Sequence, residues 1–342
     1  MALSPALRRR AATRAVLAFP LATLLLLGPA PGAVAAPTGS SGSSSGSLAG
    51  SGLAQAADPD WMGRVPDGTS LADLSLPGTH DTMAVDATIV SETQDSALPV
   101  QLHAGIRALD IRTRHFRDAF PIHHGPEYLN ANFTDVVRDT TGFLRDNPTE
   151  TVLMRIQSEH TEAENTRSFE ETLDWYIHGN PDTRDLLREH LWVPPAGNDG
   201  RIPTLGETRG KVVILQNFAA SVVYGPQWGG ARTDIQDFYR IAGLAEVPLK
   251  WDRARAHFER TDQGSPGTLY VNHLSATGVP DPGAIAQGAL PITIAQGAPG
   301  VTGMNQRALD YLRAGNVDRT GTVMTDFPTA ELVAEIIAHN FR

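Results

Sequence analysis

The chain has 342 residues, 28 Lys and Arg against 38 Asp and Glu, and no cysteine. A net charge of −10 argues against charge-driven binding to nucleic acid or to anionic membranes. Without thiols, disulfides and thiolate catalysis are excluded, and stability must come from the packed core.

Residues 1–36 read as a secretory leader. Arg8, Arg9, Arg10 and Arg14 precede the apolar stretch Ala15–Leu27, and Ala33-Val34-Ala35 offers small residues for cleavage. The apolar stretch is too short to span a bilayer comfortably, and the arginine cluster fits Sec or twin-arginine export. Removing the leader's four arginines leaves 24 basic against 38 acidic residues, a net −14. The Gly/Ser tract Thr38–Ser51 cannot bury a core. Residues 37–56 are therefore expected to be a flexible linker to one catalytic unit, 57–342. That length suits a single α/β barrel, and the protein is expected to be a secreted monomer.

In chain order, Leu74–Asp81 (Leu-Ser-Leu-Pro-Gly-Thr-His-Asp) is a short strand stopped by Pro-Gly, with a histidine and a carboxylate beyond the turn. Ala84–Thr93 shows no clear period. Ile106–Thr113 is the second strand, whose alternation puts Asp110, Arg112 and Arg114 on one face. Charges on one face of a buried strand must pair or line a polar cavity. Phe120–Gly125 is a third strand, and of its two histidines His123 faces away if His124 faces the site. Phe133–Asp146 is an amphipathic helix stopped by Asn147-Pro148. Thr151–Ile156 is a strand with Gln157, Ser158, Glu159 and His160 polar at its end; Thr161–His178 and Asp182–His190 read as helical. Further strands are expected at Lys211–Leu215, Thr233–Tyr239, Thr268–Leu274 and Thr322–Thr325, with helices at Asn305–Ala314 and Thr329–His339.

Strands and helices thus alternate about eight times, with polar groups gathered at strand ends, which is the pattern of a (β/α) barrel with its site at the C-terminal mouth. Two units lack a clear helix, around 84–105 and 115–132, so the expected fold is a single irregular, partly open TIM-type α/β barrel. A doubly wound sheet is disfavoured because no glycine-rich loop follows the first strand.

Four motifs carry a family likeness: Leu-Pro-Gly-Thr-His-Asp at 76–81, Leu-Asp-Ile-Arg at 109–112, His-His-Gly-Pro at 123–126, and Phe-Leu-Arg-Asp-Asn-Pro-Thr-Glu-Thr-Val-Leu-Met at 143–154. In that order they resemble the catalytic X-domain of phosphatidylinositol-specific phospholipases C, especially the secreted, metal-independent bacterial enzymes. The likeness is dense from about 74 to 160 and then thins to Gly-Lys-Val-Val-Ile-Leu at 210–215, Gln-Asp-Phe-Tyr at 236–239 and Asp326.

The resemblance implies a distorted, open TIM barrel and a phosphodiester cleavage in which the inositol 2-hydroxyl attacks phosphorus and diacylglycerol leaves. By resemblance His80 is the general base steadied by Asp326, and His124 the general acid in contact with Asp81. Arg112 then holds the phosphate, oriented by Asp110. A histidine pair suits acid–base work near neutral pH, and a guanidinium can grip a phosphate through two parallel bonds. From the residues alone, Asp326 could equally cap the last helix. Asp237 and Tyr239 match the family's inositol-contacting aspartate and tyrosine. Gln157 and Asn217 stand where the bacterial enzymes have a lysine and an arginine, which leaves Arg112 as the sole strong cation expected at the phosphate. On this basis Gln157→Lys should raise activity on inositol lipids.

No metal or other cofactor is expected, because positions that hold calcium in the family's metal-dependent branch are here Arg112 and Gln157. The expected partner is a phospholipid headgroup at a membrane surface, with Trp61, Trp228 and Trp251 as candidate anchors. Alternatives are a cyclising phosphodiesterase for another headgroup and a non-catalytic inositol-headgroup binder. An acid–base pair argues against the binder. A metal-dependent glycerophosphodiesterase barrel is disfavoured because its early signature differs.

Overall fold

A computed structural model describes residues 52–55, 58–197 and 200–342. The expected leader and the Gly/Ser tract Thr38–Ser51 lie outside the described residues. Gly52–Gln55 forms a single 3-10 turn, and Leu53 is buried in the core, so ordered packing begins before the boundary expected at 57. No helix among the described residues is long and apolar enough to cross a membrane.

Seven parallel strands make a curled sheet. In chain order they are β1 (Leu76–Thr79), β2 (Ala108–Thr113), β5 (Thr151–Ser158), β6 (Lys211–Asn217), β7 (Thr233–Gln236), β8 (Leu269–His273) and β9 (Thr322–Thr325). Their lateral order is β6-β5-β2-β1-β9-β8-β7. No ladder joins β6 to β7 among the described strands, which makes this a distorted, open α/β barrel. A hairpin, β3 (Pro121–His124) and β4 (Glu127–Asn132), pairs antiparallel to the end of β2. That hairpin occupies the stretch in which the sequence shows no helix.

Helices Phe133–Asp146 and Ala330–Ala338 match their expected spans closely, because both carry an unbroken apolar stripe. The expected helix Thr161–His178 is instead a loop as far as Arg167, then Phe169–Asp174 capped by Ser168 and continued by a π turn through Gly179. A helix absent from the sequence reading, Val247–Asp262, packs behind β7 and β8. Its inward positions Val247, Lys250, Ala254, His257 and Thr261 keep the helical spacing, but two of them are ionisable, which hides the apolar stripe.

At the closed end, away from the strand C-termini, Arg107 and Glu150 form a fully buried ion pair with Nε–Oε2 at 2.9 Å and NH2–Oε2 at 2.8 Å. Arg107 also donates to the carbonyls of Leu102, Ile106 and Pro59, so every side of the fork is engaged. Breaking such a pair strands a buried charge. Glu150→Ala is therefore expected to cost about 3–5 kcal/mol in denaturant unfolding. A loss below about 1 kcal/mol would mean that the guanidinium finds water on its own.

Of the three candidate anchors, Trp61 is ruled out by burial, and Trp228 and Trp251 are half-buried. Trp61 is fully buried, with Nε1 donating to Gly105 O at 3.0 Å. Trp251 packs edge-on against Tyr311, and Trp228 lies beneath the guanidinium of Arg155.

Candidate active site

The C-terminal ends of the strands surround a cavity of about 400 Å3. β1 can enter this crowded centre because of Gly78. A Cβ there would stand 2.7 Å from Met324 Sδ and 2.9 Å from Ala108 Cβ, so only glycine lets β1 lie between β2 and β9. Directly after β1, the His80 amide donates to Thr325 O at 2.9 Å, which locks the histidine between two strand ends. Asp81 then takes a left-handed conformation (φ 43°), one that aspartate tolerates better than most residues.

His80 sits in a line of three groups. Its Nδ1 is 2.8 Å from Asp326 Oδ1, and its Nε2 is 2.7 Å from Arg112 NH2. A guanidinium can only donate, so Nε2 must be the acceptor, and the proton of the neutral ring lies on Nδ1, facing Asp326. Burial, with the nearby Arg112 charge, holds the His80 pKa down to about 4. Burial also pushes the Asp326 carboxyl well up. Both shifts favour an uncharged ring whose Nε2 lone pair accepts from Arg112. Asp326 does not cap the last helix: Thr329 does, its side chain accepting from Leu332 N.

Arg112 is held from below. Its Nε and NH2 both donate to Asp110 Oδ2, at 3.1 and 3.0 Å, and Asp81 Oδ2 lies 3.8 Å away. Asp110 and Asp81 are fully buried under the cavity floor. Burial works against ionised Asp110, but Arg112 and then Arg155 outweigh it and keep its carboxyl far below the usual range. Arg114, expected on the same face, lies past the end of β2 and donates to Thr161 O instead.

Across the cavity, His124 Nδ1 is 2.8 Å from Ser91 O and 3.3 Å from Asp81 Oδ2. Nδ1–H thus donates to the Ser91 carbonyl, with the Asp81 carboxylate near it but not hydrogen-bonded, and Nε2 remains for a ligand. His123 points out of the cavity, its ring against Tyr128. Gln157, Asp237 and Tyr239 line the same cavity, with Asp237 and Tyr239 at its exposed mouth. Asn217 lies beside Gln157 but is not part of the wall.

Three groups here escaped the sequence reading. Arg155 lines the cavity on β5, and its NH1 donates to Asp110 Oδ1 at 3.1 Å. Arg112 is therefore not the sole cation at the floor. His273, at the end of β8, packs edge-on against both His80 and Trp228, and burial presses its pKa down to about 3. Lys250 is fully buried behind β7, and burial lowers its pKa to about 7 against the pull of Asp237 and Asp326. For Arg155 a signal existed: period two puts it on the face of Gln157 and Glu159. His273 and Lys250 gave none beyond residue type.

With two imidazoles facing one cavity, one neutral with its lone pair on a guanidinium that a phosphate could draw away, the arrangement can move protons at an anionic ester. Comparison with known proteins agrees. Residues 71–218 match the family model "Phosphatidylinositol-specific phospholipase C, X domain". The 1-phosphatidylinositol phosphodiesterase of Listeria monocytogenes is 30% identical over 295 residues, covering 82% of this chain and 84% of that protein. A Staphylococcus aureus 1-phosphatidylinositol phosphodiesterase is 28% identical over 181 residues, 50% of this chain and 55% of that one. The solved Listeria monocytogenes phosphatidylinositol-specific phospholipase C superposes with TM-score 0.66 at 29% identity, over 82% of this chain and 98% of that one. A solved Staphylococcus aureus counterpart, at 22% identity, shares the fold with TM-score 0.69, over 85% of this chain and 99% of that one. With the family model matched over 71–218 and a relative 30% identical over most of both chains, this chain belongs to the family of phosphatidylinositol-specific phospholipases C.

Proposed function

We propose that the protein is an exported phosphodiesterase that cleaves phosphatidylinositol, and glycan-bearing relatives of it, to diacylglycerol and inositol 1,2-cyclic phosphate. One observation carries the reading: the Asp326–His80–Arg112 line, with His124 facing it across the same cavity.

The Arg112 NH2 group donates to His80 Nε2 and covers its lone pair. A phosphate diester entering the cavity is a stronger acceptor than an imidazole, so it draws the guanidinium to itself and uncovers the lone pair. Nε2 then takes the proton of the inositol 2-hydroxyl as that oxygen attacks phosphorus. The bond from phosphorus to the diacylglycerol oxygen breaks, and protonated His124 gives its Nε2 proton to the departing oxygen. Asp326 steadies the imidazolium formed at His80. Asp81 and the Ser91 carbonyl do the same for His124 before the step. Arg112, tethered by Asp110, stabilises the charge that builds on the phosphorane oxygens. No metal is assigned a role.

The protonation states set the pH dependence. His80 must be neutral to act, and its folded pKa is about 4, so the acid limb of kcat/KM should fall near pH 4 instead of near the ordinary histidine value. A kcat/KM profile with no acid limb near pH 4 would rule out His80 as the base. The reaction itself is tested by incubating the protein with vesicles of phosphatidylinositol, phosphatidylcholine and phosphatidylglycerol and identifying the phosphorylated product. Inositol cyclic phosphate is the expected product. A cyclic product from another headgroup would reassign the substrate, and no product at all would favour a binder.

A further inference from the structure

The cavity carries a second guanidinium to which the reaction above gives no role. Arg155 is only 7% exposed, yet it borders the cavity beside Gln157. Its NH1 donates to Asp110 Oδ1, while Arg112 binds the other oxygen of that carboxylate, so one aspartate bridges two guanidiniums. Asp110 thus carries both guanidiniums, with Asp81, 3.8 Å from Arg112, as the second carboxylate of the floor.

The remaining donors of Arg155 go to the two amides that stand where cations were expected. NH2 donates to Gln157 Oε1. Asn217, with Oδ1 turned toward the guanidinium, accepts from Nε at 3.2 Å and from NH2 at 2.8 Å. The plane of the guanidinium lies 3.9 Å over the Trp228 ring, which fixes its tilt. Gln157 passes the order on: its Nε2 donates to Glu159 Oε2 at 2.6 Å, and Glu159 Oε1 accepts from Gly125 N at 3.0 Å, next to His124. Arg155, Gln157 and Glu159 are alternate residues of one strand face and its extension, so a straight chain of bonds joins the phosphate floor to the loop of the acid.

We propose that Arg155 is the headgroup-selecting cation of this enzyme: it supplies, from two residues earlier on the same strand face, the positive charge that Gln157 and Asn217 do not carry, and by bonding both amides it fixes the cavity wall at Gln157 against which an anionic inositol phosphate headgroup would sit. The proposal rests on the phosphatidylinositol reading above. It also revises the sequence-based expectation for Gln157→Lys. That change removes the acceptor of Arg155 NH2 and sets an ammonium against a guanidinium, so alone it should weaken headgroup binding.

The test uses the whole protein with Arg155→Met, which keeps the aliphatic stem on Trp228, and with the double variant Arg155→Met/Gln157→Lys, which moves the charge two residues along the face. Two readouts are taken, calorimetric Kd for inositol 1-phosphate and the KM and kcat for phosphatidylinositol vesicles. Arg155→Met is expected to raise both Kd and KM by about tenfold, the order of one nearby charge–charge attraction at a partly buried site, with a smaller fall in kcat. The double variant should recover much of the affinity. Unchanged Kd in a folded Arg155→Met protein would overturn the proposal, as would a double variant no better than the single one. If Arg155→Met does not fold, Arg155→Lys takes its place, and wild-type Kd there with wild-type selectivity between inositol and choline lipids overturns the claim that the fork fixes the amides. Absence of phosphatidylinositol turnover in the wild type would refute the function reading alone, because the inositol phosphate Kd still reports on Arg155.

Discussion

Replacing either His80 or His124 by alanine is expected to lower turnover of phosphatidylinositol by about 10²–10⁴-fold while the protein stays folded. The two losses should differ in kind. Without His80 the 2-hydroxyl has no base, and the Asp326 carboxyl behind it is too deeply buried to replace the ring. Without His124 the hydroxyl can still attack, but diacylglycerol must leave as an alkoxide. A substrate with a phenolic leaving group needs little help from an acid, so it should recover most of the His124→Ala loss and none of the His80→Ala loss. Equal recovery by both variants would assign the two histidines to the wrong roles. Thermal unfolding near the wild-type midpoint separates these chemical effects from damage to the strand ends.

Arg112→Ala should be almost as severe, a fall of about 10²–10³-fold in kcat, in the range found for removing one preorganised oxyanion donor. The geometry gives the reason. Arg112 is the one cation in bonding contact with the His80 Nε2 position, at 2.7 Å among the described contacts, and Asp110 fixes its fork through two bonds to a single oxygen. Arg155 cannot take over, since its donors are engaged by Asp110, Gln157 and Asn217. Arg112→Lys keeps a charge but not the fork, so it should fall well short of wild type. The same side chain bears on metal. A fixed positive charge stands at the phosphate, and no group of three or more His, Asp or Glu among the described residues is arranged to hold an ion. Calcium sites need several oxygen ligands. Activity should therefore survive exhaustive dialysis against EDTA, and added Ca²⁺ should not change it. Loss of turnover that Ca²⁺ restores would refute the arginine reading.

Much of the site was legible in the sequence because its parts are short-range. Strand alternation alone places Asp110 and Arg112 on one face, two residues apart, and a Pro-Gly stop before Thr-His-Asp marks a strand end that delivers His80 and Asp81. The pairing of His80 with Asp326 spans 246 residues, and only the insertion of β1 beside β9 decides it. The competing role for Asp326, a helix cap, was settled by Thr329 taking that place, a difference of three residues that composition cannot resolve. Arg155 shows the limit most clearly. In the sequence it is one charge inside an apolar strand; alternation puts it on the face of Gln157, but nothing local names its partners. Asp110, Trp228 and Asn217, from three other parts of the chain, give it a partner, a platform and a direction. The helix Val247–Asp262 was hidden for a related reason: Lys250 and His257 fill inward positions that read as polar surface until β7 and β8 cover them. Most strands, the order of the motifs and the polar residue types at the strand ends are legible in the chain itself, since these depend on neighbours within a few residues. The tertiary structure alone decided which charges share a counterion, because a buried charge is governed by whatever the fold brings within a few ångströms of it.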